Sequence, residues 1–334
     1  MSITSFGISR DDWLPSGVQA MWNDGFGSLA SLVFLFSIVF PFLYLLLMVW
    51  VLASLELGAT ALVGRIYRYA GVLRPWLMIE VYLVGCCVAY TRLEKVGNVT
   101  IGVGGWCLIG ACLAWILLAL KLDRRMVWDA LPGAAALRPG APTISCTTCE
   151  LLLDARLQKD RCPRCGAHLH QRKPDSFRRT AALVIAGYLL YVPANLLPVL
   201  TIDRFGRQMP STILGGVHEL IINNLWPLAI VVFTASIVVP LMKLLGLTLM
   251  LVMTRAHSSR WLVTRTRLYR FIDMIGRWSN IDLFMISLLV ALVQFGNLTT
   301  VRPQAGAIAF ASVVVITMIA SRCFDTRLMW DVTD

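Results

Sequence analysis

Cys146, Cys149, Cys162 and Cys165 form the pattern C-x2-C-x12-C-x2-C within the stretch CTTCELLLDARLQKDRCPRC. Two such pairs can supply four thiolates to one tetrahedral ion, the ligand set of structural zinc ribbons. In the second pair, CPRCG, Pro163 belongs in the turn and Gly166 where a left-handed backbone costs least. A fragment of about thirty residues has no core of its own, so a bound metal would supply its folding energy. Two other chemistries use the same residues, a rubredoxin-like iron site and a Cys-x-x-Cys redox pair. Two pairs without a βαβ pattern speak against redox chemistry, and zinc is the preferred reading. His168 and His170 follow closely, but four cysteines already close a site, so both histidines are read as solvated. The other five cysteines (Cys86, Cys87, Cys107, Cys112, Cys323) fall in or beside apolar runs and read as small buried hydrophobes.

A second group of reactive side chains lies inside apolar runs, where ionisable groups are expensive and therefore functional candidates. Lys243 sits well within the run 226–252, and Ser236, seven residues earlier, falls on the same helical face. Ser279 and Asp282 are three apart, and Thr317 stands in the middle of the last run. If consecutive helices pack as antiparallel neighbours, these five converge on one polar cluster centred on a Lys243–Asp282 pair. Three roles fit it: a structural ion pair with Ser236 and Thr317 bonded to backbone carbonyls, a proton-coupled switch, or contact with a lipid headgroup. Pro193, Pro198 and Pro240 sit in or at the ends of apolar runs and are candidate hinges. No Ser-His-Asp array, Walker loop or His-Glu-x-x-His motif occurs, and His218–Glu219 reads as a solvated pair. Nothing here points to an enzyme.

The elements that must position these groups are membrane helices. Of 334 residues, 57% are hydrophobic and 15% charged, with mean hydropathy +0.71, against roughly 25% charged in soluble domains. Seven spans are expected: 28–52, 77–92, 105–121, 181–200, 226–252, 280–297 and 306–322. The fold class is an all-α polytopic membrane protein with one small ribbon. A net charge of +11 would suit a nucleic-acid binder if it were clustered on one face, but it follows topology instead. Segments 54–75, 121–180, 254–277 and the C-terminal tail together hold 23 Lys/Arg, while the N-terminal tail and the intervening loops hold 6. By the positive-inside rule the basic side, with the ribbon and the C-terminus, is cytoplasmic. The charge then serves orientation and anionic headgroups, and no nucleic-acid partner is expected. The external loop 201–224 contains TIDRFGRQMPSTI, which reads as a short β-hairpin.

The chain also repeats itself. DRRMVWD (123–129) matches DTRLMWD (325–331) at an offset of 202, and the same offset pairs Trp76 with Trp278 and Glu80 with Asp282. At an offset of 199, LASLVFLFSIVFP (29–41) and LAIVVFTASIVVP (228–240) agree at eight of thirteen positions. The chain thus has three parts: 1–130, a first transmembrane module of about three spans; 141–175, the ribbon; and 176–334, a second module of four spans. The first module lacks a ribbon and a counterpart of the 181–200 helix, which reads as a truncation. At the positions of Ser236, Lys243, Ser279, Asp282 and Thr317 the first module has Ser37, Tyr44, Leu77, Glu80 and Trp115. The constellation is therefore peculiar to the second module.

The ribbon, YVPANLLPVL, PLAIVVFTASIVVPLMKL, TRLYRFIDMIGRWSNIDLF, LVALVQFGNL and the terminal FDTRLMWD together resemble the paraquat-inducible protein A family. The resemblance is dense over 143–331 and looser over 29–129. It implies an inner-membrane protein that moves phospholipid or a related amphiphile across the Gram-negative envelope with a periplasmic tunnel protein of the mammalian-cell-entry type. It also implies that Ser236, Lys243, Ser279, Asp282 and Thr317 are the transport-critical network. A membrane redox protein and a scaffold that only anchors the tunnel partner are the alternatives.

Overall fold

The computed structural model describes residues 2–5, 8–11, 16–58, 62–93, 98–100, 102–132, 142–157, 160–204, 207–256, 261–292 and 299–331. Two strands, β1 (Ser2–Ser5) and β2 (Ile8–Asp11), precede α1 (Ser16–Asn23) and α2 (Gly27–Phe34). A π-helical turn at Leu35–Val39 joins α2 to α3 (Phe40–Glu56). Next come α4 (Val63–Leu73), a 3-10 turn at Arg74–Trp76 and α5 (Ile79–Leu93). Strand β3 (Asn98–Thr100), α6 (Val103–Lys121) and α7 (Arg124–Asp129) close the first repeat. The cysteine segment contains β4 (Thr143–Ser145) and β5 (Leu152–Asp154) and leads to α8 (Ser176–Leu196).

From Leu200 onward the chain copies the first repeat. Strands β6 (Leu200–Arg204) and β7 (Arg207–Ser211) precede α9 (Ile213–Ile222) and α10 (Trp226–Phe233). A second π turn, Thr234–Val238, leads into α11 (Val239–Arg255). Then α12 (Leu262–Ile275), a 3-10 turn at Gly276–Asn280 and α13 (Ile281–Leu292) precede β8 (Thr299–Pro303) and α14 (Ala305–Cys323). Adding 199 to the bounds of α2, its π turn and α3 reproduces α10, its π turn and α11. Adding 202 to those of α6 reproduces α14. The correspondence also takes in the strands, in three-stranded antiparallel sheets of equivalent order, β2-β1-β3 and β7-β6-β8. The hairpin expected in 201–224 is present, paired from Leu200↔Ser211 to Arg204↔Arg207; its third strand, β8, was not anticipated. Among the described residues neither the cysteine hairpin nor α8 has a counterpart in the first repeat.

Six helices among the described residues are long and apolar enough to cross a membrane: Gly27–Glu56, Val63–Thr91, Val103–Lys121, Ser176–Leu196, Trp226–Arg255 and Ala305–Cys323. The expected span 77–92 corresponds to α5, which together with α4 makes up the candidate span Val63–Thr91. Of the seventh expected span, 280–297, α13 covers the first part, and 293–297 lie outside the described residues. The repeat counterparts α6 and α14 differ in surroundings: 6% of the apolar window is buried in α6 and 56% in α14. The cause is α8, which lies along α14, whereas α6 presents Leu113, Leu117 and Leu120 outward. Such a surface suits hydrocarbon, which has no water to exclude.

The chain divides into two compact units, residues 1–35, 78–112 and 175–334 in one, 36–77 and 113–174 in the other. In the first unit α5 packs along α13. Their side chains meet at repeat-equivalent positions: Tyr82 and Phe284 form an edge-on ring pair with centroids 5.2 Å apart, and Asn280 touches Met78. Gly85 permits this approach, because a Cβ there would stand 3.1 Å from the Phe284 Cβ. In the second unit edge-on pairs Tyr44–Trp115 and Tyr67–Trp128, at 5.1 and 4.9 Å, tie α3 to α6 and α4 to α7. The cysteine hairpin shares that hydrophobic core through Ile144, Leu153 and Leu169.

Candidate functional site

The four cysteines are set by two copies of one backbone knuckle. Cys146 N–H donates to Leu151 O and Glu150 N–H to Cys146 O, at 2.9 and 3.0 Å. Cys162 N–H donates to Ala167 O and Gly166 N–H to Cys162 O, both at 2.8 Å. Each knuckle ends in the left-handed region, at Glu150 (φ 59°) and Gly166 (φ 65°). Gly166 does so freely, as its type predicts; Glu150 does so at a cost of about 1–2 kcal/mol, against which the fixed knuckle geometry must be set. All four Sγ atoms lie within 4.8 Å of one another. Cys146 and Cys165 are 3.6 Å apart and Cys149 and Cys162 3.5 Å, near the ~3.8 Å edge of a tetrahedron with metal–sulfur bonds of ~2.3 Å. The four residues are buried and can bind one metal ion.

The thiols are not equivalent. Hydrogen bonds from Cys149 and Cys165 hold Cys146 well below the ordinary thiol range, while its bond with Cys146 pushes Cys165 up to about 12. A divalent cation in their midst would displace the thiol protons. His168 and His170 are exposed, as expected, with their rings stacked at 6.1 Å. Of the remaining cysteines Cys86 and Cys112 are buried, but Cys87 and Cys107 are exposed on α5 and α6. The expectation that all are buried therefore holds only for some.

The hairpin is held by first-repeat helices. Gly64 opens α4 directly beneath Arg164: a Cβ there would stand 1.9 Å from Arg164 O, so only glycine fits. Arg124 donates through Nη2 to Thr148 O at 2.8 Å, and Arg65 lies against Gly166. Sequence reasoning overlooked Gly64. Its repeat counterpart is Thr266, and that difference was the available signal.

The polar cluster belongs to the other unit. Lys243 is 1% exposed, and its Nζ donates to Gly276 O at 2.8 Å. A Cβ on Gly276 would lie 2.4 Å from the lysine Cε, so the glycine makes the channel in which the lysine lies. Asp273 attracts this amine and Arg322 repels it. Asp273 accepts from Ser321 Oγ at 3.3 Å, and Tyr269 OH donates to Ser321 O. Gly276, Asp273, Ser321 and Tyr269 were not singled out from the sequence. Their signal was spacing, since Tyr269, Asp273 and Gly276 fall three or four apart on one helical face.

Ser236 and Ser279 meet at the π turn, for a reason written in the sequence. Val239 N–H donates to Thr234 O, five residues back. In that register the next donor, to Ala235 O, would be residue 240, and Pro240 has no N–H. Ser279 Oγ takes its place, donating to Ala235 O at a long 3.5 Å. Ser236 Oγ donates to Val232 O at 2.7 Å and Thr317 Oγ1 to Val314 O at 3.0 Å. Ser236, Ser279 and Thr317 are all buried, and the bonds of Ser236 and Thr317 are those of the structural alternative. Asp282 lies in the first turn of α13, and its side chain is outside the described residues. Of the candidate hinges, Pro193 is inside α8 and Pro240 is the second residue of α11. Pro198 lies beyond the end of α8, where its carbonyl accepts the Gly306 N–H at 3.0 Å at the start of α14.

Paired helical repeats, lipid-length apolar helices, a four-cysteine hairpin and a buried lysine define a duplicated polytopic membrane protein with a metal-binding ribbon. The chain belongs to the paraquat-inducible protein A family, whose members it matches over residues 1–132 and 177–334. It is 33% identical over 340 residues to a protein of Escherichia coli K12 called "Intermembrane transport protein PqiA", covering 97% of this chain and 79% of that one. It is 29% identical to "Lipophilic envelope-spanning tunnel protein A" of the same strain, covering 99% of this chain and 77% of the relative. No solved structure matches the chain.

Proposed function

We propose that this protein is an inner-membrane subunit of a system that moves lipids across the bacterial envelope, and is not an enzyme. It works with a periplasmic tunnel protein of the mammalian-cell-entry type. The observation that carries this reading is Lys243: a lysine 1% exposed inside an apolar helix is too costly to keep for packing alone. The names of the relatives, which speak of intermembrane transport and an envelope-spanning tunnel, support it. In this reading the second repeat, residues 176–334, works through Ser236, Lys243, Ser279, Asp282 and Thr317. The first repeat, 1–130, scaffolds it. The ribbon, 141–175, holds one structural zinc ion through Cys146, Cys149, Cys162 and Cys165 and faces the cytoplasm with the C-terminus. Zinc fits because four thiolates in tetrahedral array are its usual structural ligands, and iron is the runner-up.

The test uses the repeat as its own control. A photo-crosslinking residue at Leu245 and another at its counterpart Leu46 occupy equivalent helical positions, 53% and 52% exposed. Phospholipid captured at Leu245 in excess over Leu46, in native membranes, supports transport by the second repeat. Equal capture at both sites marks bulk lipid and removes that assignment. Transfer of labelled phospholipid to the purified tunnel protein that survives Lys243→Met would leave only the scaffold. Four thiols that cycle to disulfides without bound metal would make it a redox protein.

A further inference from the structure

Asn280 ends the 3-10 turn before α13 and is wholly buried, at 0% exposure. Its surroundings do not suit it. The amide nitrogen points at two thioethers, Met78 Sδ at 2.9 Å and Met318 Sδ at 3.7 Å, which are weak acceptors. Its carbonyl oxygen, Oδ1, is buried with no donor reaching it among the described residues. Turning the amide over would set its oxygen against the two thioethers, which cannot donate to it. At 0% exposure the amide meets no bulk solvent, so its cost falls on the fold.

The chain itself shows that the position does not need an amide. Met78 is the residue 202 positions earlier, the repeat equivalent of Asn280, and it fills its own place in the same seam with an unbranched apolar chain. Asn280 also directly follows Ser279, whose hydroxyl supplies the bond that Pro240 withholds from Ala235. Successive helical side chains diverge, so the amide faces the two thioethers while the Ser279 hydroxyl faces the Ala235 carbonyl.

We infer that Asn280 is a binding residue, whose amide oxygen accepts a hydrogen bond from a hydroxylic guest in the seam between α5 and α13. The guest is a small O–H donor, either water or a hydroxyl of an amphiphile in transit. This adds a contact point to the transport reading but does not depend on it, because the site is wet or dry whatever the protein carries.

The experiment is solid-state NMR of the full-length protein in phosphatidylglycerol-containing proteoliposomes. Labelling serine with 13C and asparagine with 15N picks out residue 280, since Ser279–Asn280 is the single Ser-Asn pair in the chain. Magnetisation is then transferred to the Asn280 side-chain amide from water protons, or from lipid protons in D2O. Rapid transfer from water identifies a bound water, and transfer from lipid alone identifies a lipid hydroxyl; either result supports the site. An amide that receives neither, while surface asparagines receive both, overturns it. Asn280→Met supplies an independent readout. If the amide is only an uncompensated defect, the variant melts at a higher temperature with lipid transfer unchanged, and the proposal fails. A variant that folds with its metal complement intact but loses several-fold in transfer agrees with a working guest site.

Discussion

Lys243 and Gly276 act as one device. The amine reaches the Gly276 carbonyl because no side chain stands between them. Gly276→Ala puts a methyl group into the space of the lysine stem and costs about 1–3 kcal/mol of overpacking. The expected outcome is a lowered melting temperature together with a loss of lipid transfer close to that of Lys243→Met. Gly276→Ala with wild-type transfer would show that the amine need not lie where it does. Both residues illustrate what a sequence discloses at this scale. A lysine in an apolar run announces itself by its cost, whereas the glycine that admits it looks like any other small residue in a membrane helix. The cysteines lay at the opposite extreme. Their spacing fixed the ligand set before any geometry was known, down to the left-handed Gly166, but Glu150 in the matching place carries no sequence signal.

The π turns follow from proline placement. Pro41 and Pro240 occupy the same position in the two repeats, and each follows a five-residue π turn. Pro240→Ala restores an N–H that competes with Ser279 for the Ala235 carbonyl. Ser279→Ala should therefore cost less stability in the Pro240→Ala background than alone. A double-mutant cycle on thermal unfolding should give a coupling of at least about 0.5 kcal/mol, and additivity would disprove the exchange. The repeat had already aligned Pro41 with Pro240 and Ser37 with Ser236. What it could not give was the register of the hydrogen bonds, which depends on how far the helix unwinds around the missing donor. At the same scale, Gly64→Val should free the ribbon from α4 without touching a thiol. Limited proteolysis should then cut between residues 142 and 174, while metal content stays at the wild-type value. Loss of metal along with protection would show that docking and metal binding are inseparable.

For the whole molecule, a metal at the four cysteines and the apolar helices are expected to contribute to stability separately. A metal held by the four thiols would add to the ribbon's stability, and because binding displaces thiol protons its affinity would fall as pH falls. Titration from pH 8 towards pH 5 should release the metal and expose the four thiols to alkylation. The helical signal in detergent should persist, because the larger unit draws its core from α5, α8, α11, α13 and α14. Collapse of all helicity with metal loss would contradict this. The duplicated architecture was legible because offsets of 199 and 202 run through long apolar segments. The strands of the two three-stranded sheets were only half legible, since strands of three to five residues leave too little periodicity to read. Of the candidate span Val63–Thr91 only the α5 part was legible, because Arg65, Arg68 and Arg74 hide α4 and the turn after it.

The seam between α5 and α13 has one more consequence. Tyr82 faces Phe284, and Met78 faces Asn280; in both pairs a residue touches its own duplicate. In a symmetric dimer of identical subunits such contacts lie on the twofold axis, where a single codon writes both sides and every substitution is made twice. Joined in one polypeptide, the two sides are written by separate codons. Phenylalanine can then oppose tyrosine, and a lone amide can enter a place where its mirror image would have met it head-on.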